Sequence, residues 1–256
     1  VAGTTGESAS LTPDEFRELL GITRKVCAGR VPVLAGTGAA GTSRTIEQTR
    51  LAQECGADAA LIVTPYYYRP TPSGLKAHYE AVVAATDLPI VLYNVPSRTA
   101  VDLPVDIVVE LSKLEQIVAI KEATPGPQRI QALIRACGER LAVLSGDDGS
   151  CAESMLAGAS GVISVAANVA PWHMAELCRS ALDGKRTEAM ALHNRLAELF
   201  RQLGLETNPI PVKCAAEILD LAGPGIRLPL LPLEEHHREG LRTSLEQLGL
   251  LARTEH

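Results

Sequence analysis

The chain has 256 residues, 46% hydrophobic and 21% charged, with a formal net charge of −6. That length suits one large globular domain, or a domain with a small appendage, and either can bury a sizeable core. Mild acidity with scattered charges argues against nucleic acid as the main partner, and no apolar run approaches the ~18–20 residues of a membrane span.

Val1-Ala2 reads as the tail of a strand, because Gly3-Thr4-Thr5-Gly6-Glu7-Ser8 follows at once, so the chain is expected to begin mid-element. The glycines of this segment expose backbone N–H groups and its paired hydroxyls add donors, which suits a small carboxylate. Thr12-Pro13-Asp14-Glu15 predicts a helix start with an N-cap, a proline at the first helical position and a capping-box glutamate. Phe16, Leu19, Leu20 and Cys27 mark one face of that helix.

Short apolar runs then alternate with helical patterns. The runs are Val31 to Ala35, Ala59 to Val63, Ile90 to Tyr93, Ile117 to Ile120, Leu141 to Leu144 and Gly161 to Val165. With Val1-Ala2 they predict about seven strands, spaced as in repeated βα units. The runs are continuously apolar, as parallel strands covered on both faces require. Pro104, Pro127 and Pro171 sit near helix starts, and Gly56, Gly138 and Gly158 where helices should stop. Beyond Leu182 the strands cease. Thr187 to Leu203, Pro211 to Leu221 and Glu234 to Leu250 predict a helical appendage, which divides the chain into a barrel-type unit over 1–184 and a helical domain over 185–256.

Repeated parallel βα units leave a closed (β/α)₈ barrel or an open doubly wound sheet. Gly36-Thr37-Gly38-Ala39-Ala40-Gly41 has the spacing of a dinucleotide loop, but no acidic residue ends the next strand at the required distance, and a tight βα loop is the simpler reading. The six cysteines are dispersed without a CxxC pair and read as buried free thiols in a reducing cytoplasm. Asp147 and Asp148 have no third metal ligand spaced with them and read as loop or N-cap residues ahead of the next helix. The six histidines lie in helices or tails, so neither a zinc site nor a Ser-His-Asp triad is apparent.

Lys121 stands out. It ends the apolar run Ile117 to Ile120, where its ammonium is hard to hydrate. Desolvation disfavours the charged form and lowers the pKa below the free value of about 10.4. A neutral amine is a nucleophile towards ketones. The alternative is a strand-end lysine that snorkels to water. In a barrel all strand ends meet at one mouth, and there Lys121 would join Tyr93, the hydroxyls of Thr4 and Thr5, and Arg98, a planar fork for a second carboxylate. This set fits carbon–carbon bond chemistry through an iminium and an enamine. Three of the chain's five tyrosines are adjacent at Tyr66-Tyr67-Tyr68, and interface packing accounts for them equally well.

The motifs Gly3 to Ser8, Tyr93-Asn94-Val95-Pro96-Ser97-Arg98-Thr99, Ile120-Lys121-Glu122-Ala123-Thr124, Leu144-Ser145-Gly146-Asp147-Asp148 and Asn208-Pro209-Ile210-Pro211-Val212-Lys213 resemble the dihydrodipicolinate synthase family, in its order and along essentially the whole chain. The resemblance implies a (β/α)₈ barrel with a C-terminal three-helix domain. The family's first βα unit precedes the point where this chain starts, so that unit is expected to be absent. It further implies a cytoplasmic homotetramer built as a dimer of tight dimers. The activity implied is condensation of pyruvate with L-aspartate 4-semialdehyde in lysine and diaminopimelate synthesis, with no metal or organic cofactor and no nucleic-acid or membrane partner. Lys121 would form the Schiff base. Tyr93 resembles the acid/base, Thr4 the hydroxyl linking it to a second tyrosine, and Tyr67 that second tyrosine, which crosses to the neighbouring subunit's site. Thr4 and Thr5 resemble the pyruvate carboxylate binders and Arg98 the semialdehyde anchor. Gly146 and Ile163 would line the lysine pocket through backbone carbonyls. Feedback by lysine in the family uses polar or acidic side chains at the tight-dimer interface. Ser8 and Tyr66 fit that pattern, whereas Pro13, Phe16, Ala40 and Arg44 do not, and weak or absent feedback is expected. The rival activities are N-acetylneuraminate lyase, a 2-keto-3-deoxy sugar acid aldolase, or a non-catalytic paralogue.

Overall fold

The structure, a computed structural model, describes residues 1–251. His256 and the end of the 185–256 range therefore lie outside the described residues. Six strands form one parallel sheet: β1 Leu34–Gly36, β2 Ala59–Val63, β3 Ile90–Asn94, β4 Ile117–Glu122, β5 Ala142–Ser145 and β6 Gly161–Val162. Each strand pairs with the next in chain order. A doubly wound sheet reverses its strand order at a switch point, and this sheet does not, so it runs as the wall of a barrel does.

Three expectations about strands need correction. Val1-Ala2 is not assigned as a strand, yet it lies beside β1: the Val1 ammonium donates to Leu34 O at 2.7 Å and Gly36 N donates to Val1 O at 2.8 Å. The first run starts later than Val31, because Pro32 has no N–H to give and Val33 N donates instead to Asp58 Oδ2 at 2.7 Å. The last run breaks early. Val165 N and Ala166 N both donate to Asp148 Oδ2, at 3.0 and 2.8 Å, which turns the chain out of the sheet. Asp148 thus ties down a distant turn instead of capping the helix that follows it.

Helices fill the crossovers: α1 Pro13–Cys27, α2 Thr42–Glu54, α3 Pro72–Val83, the single turn α4 Pro96–Thr99, α5 Val105–Leu111, α6 Pro127–Cys137, α7 Cys151–Leu156 and α8 Pro171–Leu182. The capping box of α1 forms as read: Thr12 Oγ1 accepts from Glu15 N, and Glu15 accepts from Thr12 N. The glycine-rich loop after β1 answers a packing need. A Cβ on Gly36 would fall 2.1 Å from Ala2 O, and one on Gly38 2.6 Å from Val63 N. Among the described residues three helices follow α8: α9 Arg186–Leu203, α10 Ile210–Ile218 and α11 Glu235–Gln247.

Two apolar layers flank the sheet. The outer layer packs Ala60, Ile62, Ile90, Leu92, Ile120 and Val143 against the helices. Leu196, Leu199, Val212, Leu241 and Leu245 from α9 to α11 join the same layer, so one core runs across both sides of residue 184. The inner layer is small: Leu61, Val91, Tyr93, Val95 and Ala119, with Lys121 and Ile163 at its upper rim.

Candidate active site

The inner face of the sheet opens into a cavity of about 700 Å³. Thr4, Thr5, Tyr93, Arg98, Lys121, Gly146 and Ile163 all line it. β3 and β4 place the central pair: Tyr93 and Lys121 are register partners, and the lysine Nζ stands 4.3 Å from the centre of the tyrosine ring. Burial lowers the Lys121 pKa from 10.5 to about 8; the Asp148 carboxylate works against this shift and the Arg98 guanidinium with it. Burial raises the Tyr93 pKa, with the Thr4 side chain and Arg98 partly offsetting it. The phenol therefore stays protonated near neutrality and can donate.

Glycine at 146 gives the lysine its room. A Cβ there would lie 2.8 Å from Lys121 Cε, 3.0 Å from Cγ and 2.9 Å from Ala123 Cβ. The contacts at 2.8 and 2.9 Å are closer than side chains tolerate, so a side chain at 146 would displace the Lys121 stem or Ala123.

The loop over 3–7 closes on itself. Gly6 N and Ser8 N donate to Gly3 O, and Glu7 N to Thr4 O. Among the described residues, the N–H groups of Thr4 and Thr5 donate to no protein acceptor. The Thr5 hydroxyl is tied to Asn208, whose Nδ2 donates to it at 3.0 Å. Arg98, at the end of α4, donates to Thr207 Oγ1 at 3.5 Å and to Asn208 O at 3.4 Å. Asn208 thus joins the two carboxylate-binding candidates. It was legible only as part of a motif, and its place at the rim depends on the chain returning from α9. Ser164 and Asn168 also line the cavity and were not singled out from the sequence.

Tyr67 is not brought to this cavity. It is 86% exposed, with its ring edge-on to Tyr68 at 5.6 Å and its backbone at φ 74°. Ser8, Tyr66 and Arg44 line a second cavity of about 470 Å³, which shares Thr4, Val95, Arg98 and Asn208 with the first. Ala40 does not line it, Phe16 is buried in the outer core, and Arg44 pairs with Glu47 at 3.2 Å. Among the described residues, no group of three or more His, Cys, Asp and Glu side chains could hold a metal ion.

The dihydrodipicolinate synthetase family model matches residues 1–248. The chain belongs to that family. It is 49% identical over 248 residues to 4-hydroxy-tetrahydrodipicolinate synthase of Thioalkalivibrio sulfidiphilus, covering 97% of this chain and 84% of the relative. It is 52% identical over 238 residues to the Xanthomonas axonopodis pv. citri enzyme of that name, covering 93% and 78%. The fold superposes with a TM-score of 0.96 and 47% identity on the chloride-inhibited dihydrodipicolinate synthase of Acinetobacter baumannii, solved with pyruvate, over 98% of this chain and 86% of that one. Within the dihydrodipicolinate synthetase family, six parallel strands curled as a half-barrel are accordingly this chain's shared framework.

Proposed function

We propose that the chain is a Schiff-base-forming lyase that condenses pyruvate with L-aspartate 4-semialdehyde to 4-hydroxy-tetrahydrodipicolinate, in lysine and diaminopimelate synthesis. The observation that carries this reading is the lowered-pKa amine of Lys121 against the Tyr93 ring, in a cavity rimmed by carboxylate binders.

In this reading the free N–H groups of Thr4 and Thr5 take the pyruvate carboxylate. The neutral Lys121 amine adds to the ketone carbon, and loss of water leaves an iminium. The iminium draws electrons from the methyl carbon, whose proton leaves to give an enamine. Tyr93 gives a proton to the departing hydroxyl, its phenolate takes the methyl proton, and the phenol then protonates the aldehyde oxygen as the enamine carbon bonds to the aldehyde carbon. The bond-forming step regenerates the iminium, and the semialdehyde's own amine adds to the iminium carbon, closes the ring and displaces the Lys121 amine. Arg98 holds the semialdehyde carboxylate, a role its bidentate fork suits. Thr4 passes protons between Tyr93 and Tyr67 of a second subunit. Ile163 bounds the pocket and Gly146 leaves the lysine stem its space.

The wider frame of the proposal is a (β/α)₈ barrel with α9 to α11 as a C-terminal helical domain, assembled in the cytoplasm as a homotetramer of two tight dimers. Exposed Tyr67 supports assembly, since among the described residues its ring meets only the ring of Tyr68. At the second cavity, the Arg44 guanidinium would oppose a lysine ammonium, so lysine feedback is weak.

Borohydride reduction in the presence of pyruvate tests the central claim. Lys121 should gain the mass of the reduced pyruvate adduct, and unreduced protein given pyruvate and semialdehyde should release 4-hydroxy-tetrahydrodipicolinate. Folded protein that gives no adduct would sink the proposal.

A further inference from the structure

In an unbroken strand, residues two apart share a face. In β4 they do not. Ile117 packs in the outer layer with Ile90 and Leu92, whereas Ala119 packs in the inner layer with Val91 and Tyr93. The break falls at Val118. The pairing jumps there from Ile90↔Ile117 to Val91↔Ala119, and Val118 is 40% exposed between buried neighbours. One residue of β4 is therefore unpaired, which is a bulge. Counting on without it would set Tyr93 against Ile120 and Asn94 against Lys121, with the lysine turned to the helices.

Beyond the bulge the ladder is pinned by buried polar groups on the outer face. Asn94 and Glu122, each one residue past the reactive pair, are register partners. Asn94 Nδ2 donates to Glu122 Oε2 at 2.9 Å and to Asp102 Oδ1 at 2.8 Å, while its Oδ1 accepts from Leu103 N at 3.0 Å. The Glu122 side chain is fully buried. It also accepts from Thr124 N at 2.8 Å and faces Arg129 Nε at 3.4 Å. Arg129, on α6, reaches Asp102 at 3.4 Å and donates to Leu103 O. A slip of one residue would carry Glu122 to the inner face and leave Arg129 facing apolar side chains. Separating a buried pair in this way is strongly unfavourable.

We propose that Glu122, Asn94 and Arg129 form a register clamp, holding β3 and β4 in the one alignment that sets the Lys121 amine against the Tyr93 ring. They are positioning residues, and none of them lines the cavity. The clamp rests on the proposed function only in taking Lys121 and Tyr93 as the reactive pair.

Two variants test it, Glu122→Gln and Asn94→Ala, with Ile130→Val in α6 as a packing control. Competitive acylation of Lys121, followed by mass spectrometry across pH, reads its environment without any substrate. A loosened lysine regains water, so both clamp variants should move the labelling midpoint upward, by about one pH unit. Loss of a nearby negative charge alone would move it downward, and Asp148 and Arg98, the other charges acting on this amine, are unchanged in both variants. Pyruvate trapping should slow by about tenfold or more. Ile130→Val should lower the melting temperature without moving the midpoint. A midpoint that stays or falls in both clamp variants overturns the clamp, even if stability drops. The functional reading fails separately, if the unaltered chain forms no adduct while the midpoint still shifts in the variants.

Discussion

At the scale of the residue, Lys121 sits in conflict with its surroundings. Its folded pKa is about 8 against 10.5 when free. Below pH 8 both folded and unfolded chains hold the proton, and the folded state carries the whole penalty, up to about 3 kcal/mol. Between about 8 and 10.5 only the unfolded chain holds it, so stability rises with pH and the penalty fades. Lys121→Met should therefore raise the melting temperature at pH 7 and lose that advantage as pH climbs through this window. A constant difference from pH 6 to 10 would contradict the assignment. The same pKa predicts that adduct formation speeds up with pH and levels off near 8. Gly146→Ala makes a companion prediction. Its methyl collides with the Lys121 stem and Ala123, so adduct formation should fall by about tenfold to a hundredfold, with a stability loss of about 1–3 kcal/mol. A rate like that of the unaltered chain would mean the β5 loop can retreat. The cavity positions of Lys121, Tyr93, Thr4, Thr5 and Arg98 were legible because each stands at or shortly after the end of an apolar run. Glu122 was not legible, because a glutamate after a lysine reads as a solvated charge until the strand's facing is known.

At the scale of the element, helix ends read most clearly. The α1 capping box depends on local spacing alone, and Thr12→Ala should cost about 1 kcal/mol in denaturant unfolding. Its Glu15 has a second task. Arg227 hydrogen-bonds it and holds its carboxyl down at about 2, together with the Thr12 amide. That contact joins α1 to the segment between α10 and α11, and Glu7 reaches the same region through Lys213 and Arg227 N. No sequence period reports such contacts, which span more than two hundred positions. Strand limits were less legible than helix limits for a related reason. β1 is delayed by Asp58 and β6 is cut short by Asp148, and both carboxylates lie outside the strands they bound. The Val118 bulge was invisible too, since Ile117-Val118-Ala119-Ile120 is apolar whichever way each residue points.

At the scale of the whole molecule, Tyr67 stands apart from the site. That tyrosine is on the surface, away from the cavity of its own chain. If it completes a neighbour's site, two defective variants should repair each other. Tyr67→Phe protein keeps Lys121, and Lys121→Ala protein keeps Tyr67, so mixed dimers contain one whole site. Mixing them after dissociation should restore activity well above the sum of the two parts. Activity no greater than that sum would mean Tyr67 serves its own chain or no site. The repeat of apolar runs and helical patterns pointed to parallel βα units, and the barrel order was implied only by the family resemblance. The assembly could not be read that way, because an exposed tyrosine looks the same whether or not another subunit covers it.

Val118 has a consequence for how this strand can change. The bulge acts like a frameshift in side-chain direction: residues before it are set in one frame and residues after it in another. A deletion at Val118 would merge the frames and leave Lys121 opposite Tyr93, whereas one residue added between Ala119 and Lys121 would turn the amine from the cavity to the helices. Composition and hydropathy would hardly change in either case, so it is the distance from the bulge to Lys121 that cannot drift by one.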